Sequence, residues 1–586
     1  RDLMATRFLP SSGGRARAIV FFCFMVVVWM LPTQARALPE QSSTPDDIPG
    51  MVAVDLEDSL SQPELEAFGS EFGVSLSPSS ILSARTRIHA VTVARENVHA
   101  LLERLRKDGR VQHVEPVAKV HARWVPNDPL FQEQWHIQRV GAIQAWQVST
   151  GRGVTVAVVD TGVACENHEA FTISSDLADT WCKTGFNFVD NHPHATDDHG
   201  HGTHVAGTIA QSTHNGIGGS GLAFHARLLP IKVLNAQGWG TTLAVADGVR
   251  YAADAGAHVI NLSLGGARAS RILFDAIQYA RSKGALVVAA AGNNGQFVEY
   301  PAAFEGVVAV AATDSQDRLA SFSSWGPEVD LAAPGENVLQ QTICNGGKDR
   351  CELFSKFSGT SMAAPHVSAA AALLMSLGVT EPGRVQAMLE ASAEVPEGEI
   401  KGGPRFGQGI VQVGKAVRAT VGVQAATRLA LVFGLTAYVG RRIRRKGGFS
   451  RFWRPGFWLM ALAFGPGLLA WAPIIVSRVS LPIDLLARPV PDWDLLLGVS
   501  VHRWLPLAHV LIPFSLSAVG FGIRWARPFI AGIAVGIAAY LGSVPLLELT
   551  TGNLISRLLL ATWALINIAG CLWLAVLHLD EREVSS

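Results

Sequence analysis

The chain has 586 residues, 49% of them hydrophobic and only 16% charged, against about 25% charge in an ordinary soluble protein. Its length calls for several domains, and its composition calls for a part that sits in lipid. Forty-eight Lys+Arg balance 48 Asp+Glu, so the basic footprint that nucleic-acid binding requires is missing.

Arg7, Arg15 and Arg17 precede the apolar run from Ile19 to Leu31, and Ala35-Arg36-Ala37 follows it. A charged start, a short apolar stretch and a small-residue site mark a secretory signal peptide. Residues 1–37 are therefore expected to be removed, with an uncleaved signal anchor as the other reading. A polar, Pro-rich linker follows over 38–49. Residues 50–122 then read as a small α+β module. Met51–Asp55, Ile88–Val93 and Val111–Pro116 alternate like strands, and Glu96–Lys107 carries Val98, Leu101, Leu102 and Leu105 on one helical face.

The central region, 125–420, alternates continuous apolar strands with helical stretches. Its strands are Val154–Val159, Leu228–Val233, His258–Leu262 and Ala285–Ala290. Strands apolar on both faces with helices between them imply a parallel sheet in an α/β domain, where sites gather beyond the carboxyl ends of the strands. Asp160 closes the first strand and Asn293 lies just past the last. Cys165, Cys182, Cys344 and Cys351 all fall here. An exported chain favours disulfides. Of the three pairings, the short-range Cys165–Cys182 with Cys344–Cys351 is expected; zinc is the alternative, against which the spacings speak.

After residue 420 the chain reads as a transmembrane region, 421–586. Residues 455–476, 504–523, 528–547 and 556–577 each have about the length of a membrane-crossing helix. A fifth span, 421–440, is interrupted by Arg428. The loop after it holds Arg441, Arg442, Arg444, Arg445, Lys446, Arg451 and Arg454, a cluster that stays cytoplasmic. An exported central domain reaches that loop only if 421–440 crosses, with Arg428 snorkelling outward. Five spans result, forming an all-α bundle with a cytoplasmic C-terminus.

Three motifs carry the chemistry: Asp160-Thr-Gly162, His201-Gly-Thr-His-Val-Ala-Gly-Thr208 and Gly359-Thr-Ser-Met-Ala-Ala-Pro-His366. A serine hydroxyl needs a base to take its proton, and an Asp fixes the tautomer of that base and stabilises its charged form. In the order Asp, His, Ser, these motifs resemble the subtilase family of subtilisin-like serine proteases over about Pro126–Val421. The resemblance implies a serine endopeptidase with Asp160, His201 and Ser361 as catalytic triad. It places the oxyanion donors at Asn293 and at the Ser361 N–H, and treats His199 and His204 as structural. Ser263, Leu264, Gly265 and Gly266 resemble one wall of the substrate pocket, and Ala290, Ala291 and Gly292 the other. Since neither wall contains an acidic residue, a broad preference for apolar residues before the scissile bond (P1) is expected. No cofactor is implied for catalysis. Structural calcium is expected at Asp128, Asp190 and Asn215.

The 50–122 module resembles the family's prodomain, an intramolecular chaperone and inhibitor, with self-processing between Val120 and Val125. The expected partners are protein or peptide substrates, the protein's own prodomain and membrane lipid. The resulting picture is a multi-pass protein with its peptidase domain on the periplasmic or extracellular side. Two rival readings are a catalytically silent membrane receptor or scaffold, and a transporter carrying a maturation peptidase.

Overall fold

The computed structural model describes residues 47–118, 125–349, 351–445, 449–470, 472, 485–496, 509–548 and 554–580. The signal peptide, most of the linker and the expected processing segment lie outside the described residues. The chain divides into two compact units, residues 1–121 and 122–586.

In the first unit, β1 (Asp47–Leu56), β2 (Ser77–Pro78), β3 (Ile88–Thr92) and β4 (Val111–Ala118) form an antiparallel sheet in the order β2-β3-β1-β4. Alternate residues of β1 (Val52, Val54 and Leu56) are buried, because successive side chains of a strand point to opposite faces. They pack with Leu65 and Phe68 of α1 (Gln62–Phe72) and with Leu101, Leu102 and Leu105 of α3 (Val98–Leu105). The short α2 (Ile81–Arg85) lies between β2 and β3. Ser61 and Glu64 close a capping box at the start of α1, with Ser61 N donating to Glu64 Oε2 at 2.7 Å. Strand β1 begins at Asp47, inside the stretch read as linker, and α3 is shorter than the expected 96–107 helix because a 3₁₀ turn, Arg95–Asn97, precedes it.

The second unit is built on seven parallel strands in the order β11-β10-β9-β8-β5-β7-β6. These are β5 (Thr155–Asp160), β6 (Phe186–Asn187), β7 (Arg227–Lys232), β8 (Val259–Leu262), β9 (Leu286–Ala290), β10 (Val308–Thr313) and β11 (Leu331–Pro334). Both faces of the sheet are covered. Val156 and Val158 of β5 join one core, with α6 (His201–Ala210) and the alanine-rich α9 (Thr360–Met375). Ala157 and Val159 point the other way, against α7 (Thr242–Asp254) and α8 (Arg271–Ser282). The short helices α4 (Trp135–Arg139) and α5 (Ala142–Trp146) precede the sheet. A two-stranded hairpin, β12 (Val338–Gln341) with β13 (Phe354–Phe357), leads into α9, and α10 (Pro382–Ser392) follows it. Both expected disulfides, Cys165–Cys182 and Cys344–Cys351, are formed.

Helix α11 (Val413–Arg444) departs most from the sequence reading. Its first turns belong to the α/β core through Val413, Ala416 and Val417. Arg418 Nη2 donates to Gln147 Oε1 at 2.8 Å, and Gln424 Nε2 to the Leu377 carbonyl at 3.2 Å. The helix then continues into the apolar region, so the expected boundary at 420/421 falls inside an unbroken helix. Arg428 does not snorkel outward. It is buried and paired with Asp492 at 2.8 Å, whose other oxygen accepts from Tyr540 Oη at 2.7 Å. A counter-ion of this kind removes the need to reach water.

Beyond α11 come α12 (Pro455–Phe464), α13 (Leu511–Gly520), α14 (Arg527–Glu548) and α15 (Leu554–Leu579). Among the described residues three helices are long and apolar enough to cross a membrane: Val413–Arg444, Arg527–Val544 and Ala561–Leu579. The expected spans 455–476 and 504–523 contain ten-residue helices, α12 and α13; residues 471, 473–476 and 504–508 lie outside the described residues.

Candidate active site

Strands β9, β8 and β5 are neighbours in the sheet, and their carboxyl ends open onto one rim. Asp160 is the last residue of β5, Ser263 follows β8, and Asn293 lies three residues past β9. Helices α6 and α9 begin at the same rim, bringing His201 as the first residue of one and Ser361 as the second of the other.

Asp160 is fully buried, and its Oδ1 accepts from His201 Nδ1 at 2.7 Å and from Thr161 N at 2.7 Å. Thr161 Oγ1 in turn accepts from Gly202 N at 2.9 Å, locking the start of α6 to the end of β5. A side chain at Gly202 would run into the Gly162 carbonyl, so the close approach of strand and helix depends on that glycine. Burial works against the His201 imidazolium. The charge and hydrogen bond of Asp160, with Asp197 behind them, outweigh it and raise the pKa above the ordinary 6.5.

His204, one turn further on, differs. Its Nε2 lies 3.0 Å from both the Val338 and Ser355 carbonyls, its ring stacks on Phe357, and burial pushes it down to about 3. It is a neutral structural histidine. His199 lies beside Gly238 on the preceding loop.

Asn293 is held by the start of α9. Its Oδ1 accepts from Thr360 N at 2.8 Å and Thr360 Oγ1 at 3.0 Å. A backbone N–H can only donate, so this contact fixes the amide orientation and leaves Nδ2 as the donor on the Gly359 side, next to Ser361. Ser361 Oγ donates to the Ser263 carbonyl at 3.0 Å, and Ser263 Oγ returns a bond to the Ser361 carbonyl at 2.7 Å. Behind them Asn261 Nδ2 donates to Ser263 Oγ at 2.9 Å, and Ser368 Oγ to Asn261 Oδ1 at 2.8 Å. This buried chain ties β8 to α9 and sets the depth of the serine. Sequence reading missed Asn261, Thr360 and Ser368. The one available signal was a polar residue inside the apolar run Val259–Leu262.

The sequence model of the subtilase family matches residues 151–416. Thermitase of Thermoactinomyces vulgaris is 41% identical over 297 residues, which is 50% of this chain and 100% of thermitase. A thermophilic serine proteinase of Bacillus sp. (strain AK1) is 42% identical over 285 residues, 48% of this chain and 67% of its own length. Among solved structures, a protease of Pseudoalteromonas arctica is 32% identical with a TM-score of 0.46, covering 51% of this chain and all of that one. The chain belongs to the subtilase family.

Its α/β unit is a subtilisin-like serine endopeptidase domain that needs no cofactor for catalysis. Around the rim of this subtilase, the expected substrate walls are brought together, but not all their members line the cleft. Ser263 is buried and committed to α9, whereas Gly265 and Gly266 are exposed. Ala290 and Ala291 turn their methyl groups into the two cores, leaving backbone and Gly292 on the rim. Neither wall segment contains an acidic residue, but Glu299 comes from a third segment and lies against both Gly265 and Gly292.

Of the expected calcium ligands, the structure brings Asp128 and Asn215 together and adds Asp176, which the sequence reading missed. Asp128 Oδ1 accepts from Asn215 N at 3.0 Å, and Asn215 Nδ2 donates to Asp176 Oδ1 at 2.8 Å. Burial, with Asp128 nearby, pushes Asp176 up to about 7. Asp190 is engaged elsewhere, accepting from Asn187 Nδ2 at 2.9 Å in its own turn.

Proposed function

We propose that Asp160, His201 and Ser361 are the catalytic triad of a membrane-anchored endopeptidase that cleaves peptide bonds through an acyl-enzyme. The observation carrying this is the 2.7 Å bond from His201 Nδ1 to a buried carboxylate at the rim where α9 presents Ser361. In the reaction the Ser361 hydroxyl turns from the Ser263 carbonyl and passes its proton to His201 Nε2. Oγ then attacks the substrate carbonyl. The resulting oxyanion accepts from Asn293 Nδ2 and the Ser361 N–H, which is free because it lies in the first turn of a helix. His201 protonates the leaving amine, and a water deprotonated by the same imidazole releases the acid.

The first unit, within 50–122, is read as the prodomain. An antiparallel sheet with a packed helical face supports that reading, and self-processing would occur within 120–125. The apolar helices after α11 support anchoring. The arginine run Arg441–Arg445 favours a cytoplasmic loop there, with the peptidase domain on the exported side. The wall sequences support a broad apolar P1 preference, and Glu299 between those walls is the residue that bears on it, as argued below.

Calcium at Asp128, Asp176 and Asn215 would use two carboxylates held out of water, and would have to displace the hydrogen bonds those oxygens accept from His214 N, Asn215 N and Asn215 Nδ2. A chelator is expected to lower the melting temperature, and added calcium to restore it. An unchanged melting curve would remove calcium from the account.

The deciding experiment labels the full-length protein with a fluorophosphonate and maps the adduct and the N-terminus by mass spectrometry. The expected adduct is on Ser361 of a protein that stays with membranes in alkaline carbonate. An adduct elsewhere overturns the catalytic reading, and release into the supernatant overturns the anchoring.

A further inference from the structure

The space between the two substrate walls has a floor, and the floor is acidic. Glu299 N donates to the Ala291 carbonyl at 2.8 Å, while Tyr300 exchanges both backbone bonds with Gly266, at 2.8 and 2.9 Å. Residues 299–300 therefore join one wall to the other. The walls are bare where they face Glu299. A Cβ added to Gly292 (φ +112°) would stand 2.8 Å from Glu299 Cγ and Cδ, and one added to Gly265 would stand 3.0 Å from Oε2. Two glycines thus leave room for one carboxylate.

Glu299 is half-buried and accepts from Asn294 Nδ2 at 2.9 Å through Oε1. Among the described residues no Lys, Arg or His forms an ion pair with it. Holding a carboxylate part-way out of water without a cation is unfavourable. A cationic side chain entering between the walls would supply the missing charge, its alkyl stem lying along the glycine backbone and its nitrogens reaching Oε2.

We propose that Glu299 is the specificity-determining residue of this site, and that the pocket selects Lys or Arg immediately before the scissile bond. The inference rests on the catalytic reading above. A structural role for Glu299, bracing Asn294, is the competing explanation, and the isosteric Glu299→Gln separates the two. It keeps an acceptor for Asn294 Nδ2 and removes only the charge.

The test measures kcat/KM on tetrapeptide p-nitroanilides that differ only in the last residue (Arg, Lys or Phe), with active sites counted by fluorophosphonate. The wild-type protein is expected to favour Arg and Lys over Phe. Glu299→Gln should lower the Arg/Phe ratio on the order of 10- to 100-fold, the range for one hydrogen-bonded charge, and Glu299→Lys should lower it further. A wild-type preference for Phe, or a ratio unchanged in a Glu299→Gln protein that still labels at Ser361, overturns the proposal alone. Failure of the wild-type protein to label or cleave would overturn the catalytic reading and this one with it.

Discussion

Replacing Ser361 with alanine is expected to lower kcat by about a million-fold, the size of loss known for removing the nucleophile of a subtilisin. What remains should still exceed the uncatalysed rate by about 10³–10⁴, because Asn293 and the helix N-terminus keep their positions and still stabilise charge on the carbonyl oxygen. Ser361 lies at the surface end of α9, and its hydroxyl bonds only a carbonyl that Ser263 already supports. The variant should therefore fold. Its chain should also keep residues 47–118 attached on gels, since the same serine is asked to release them. A Ser361→Ala protein that loses that segment without another protease present would count against self-processing. One that retains ordinary turnover would dispose of the triad.

Asp160→Asn is expected to cost about 10⁴ in kcat, the loss associated with the wrong imidazole tautomer. Asp160 Oδ1 serves both Thr161 N and His201 Nδ1. An amide in its place either keeps these bonds without the charge or turns its NH₂ toward Nδ1 and forces the proton onto Nε2. The pH profile gives the sharper readout. Turnover needs neutral His201, and in the wild-type protein the Asp160 carboxylate raises the histidine above 6.5 against the effect of burial. The acid limb of kcat/KM should therefore lie above 6.5. Without the charge, burial prevails and the residual activity should persist to lower pH. A limb that stays in place would mean that Asp160 does not set the protonation of His201.

The residues proposed as the triad were legible because each sits in a contiguous motif whose neighbours also have work to do: Gly202 for the close approach to Gly162, Thr360 for the grip on Asn293. The parallel sheet was legible because strands buried on both faces are apolar at every position. Both cysteine pairs could be read from proximity along the chain. What escaped depends on segments that meet only in space. Glu299 stands outside either wall motif, and nothing local marks it as a floor. Asp176 lies in a 3₁₀ turn, Ser175–Leu177, far along the chain from Asp128, and gains its meaning from Asn215, which bonds to both. Arg428 looked like an intruder in a span because Asp492, its partner, is 64 residues away. The domain boundary failed for a related reason: a change from mixed to apolar composition does not require a change of helix.

That last feature has a mechanical consequence. At 1.5 Å per residue, the 32 residues of α11 make a rod about 48 Å long, rooted at one end among the side chains beneath the catalytic sheet. A peptidase on a flexible tether sweeps a volume and meets substrates at every angle. One fixed to a rod in a bilayer, as in the anchored reading, holds its cleft at a set height and tilt. Its selectivity would then have a geometric component independent of sequence. Chains that bring a cleavable segment to that height, in that direction, are cut, while the same segment presented elsewhere is spared.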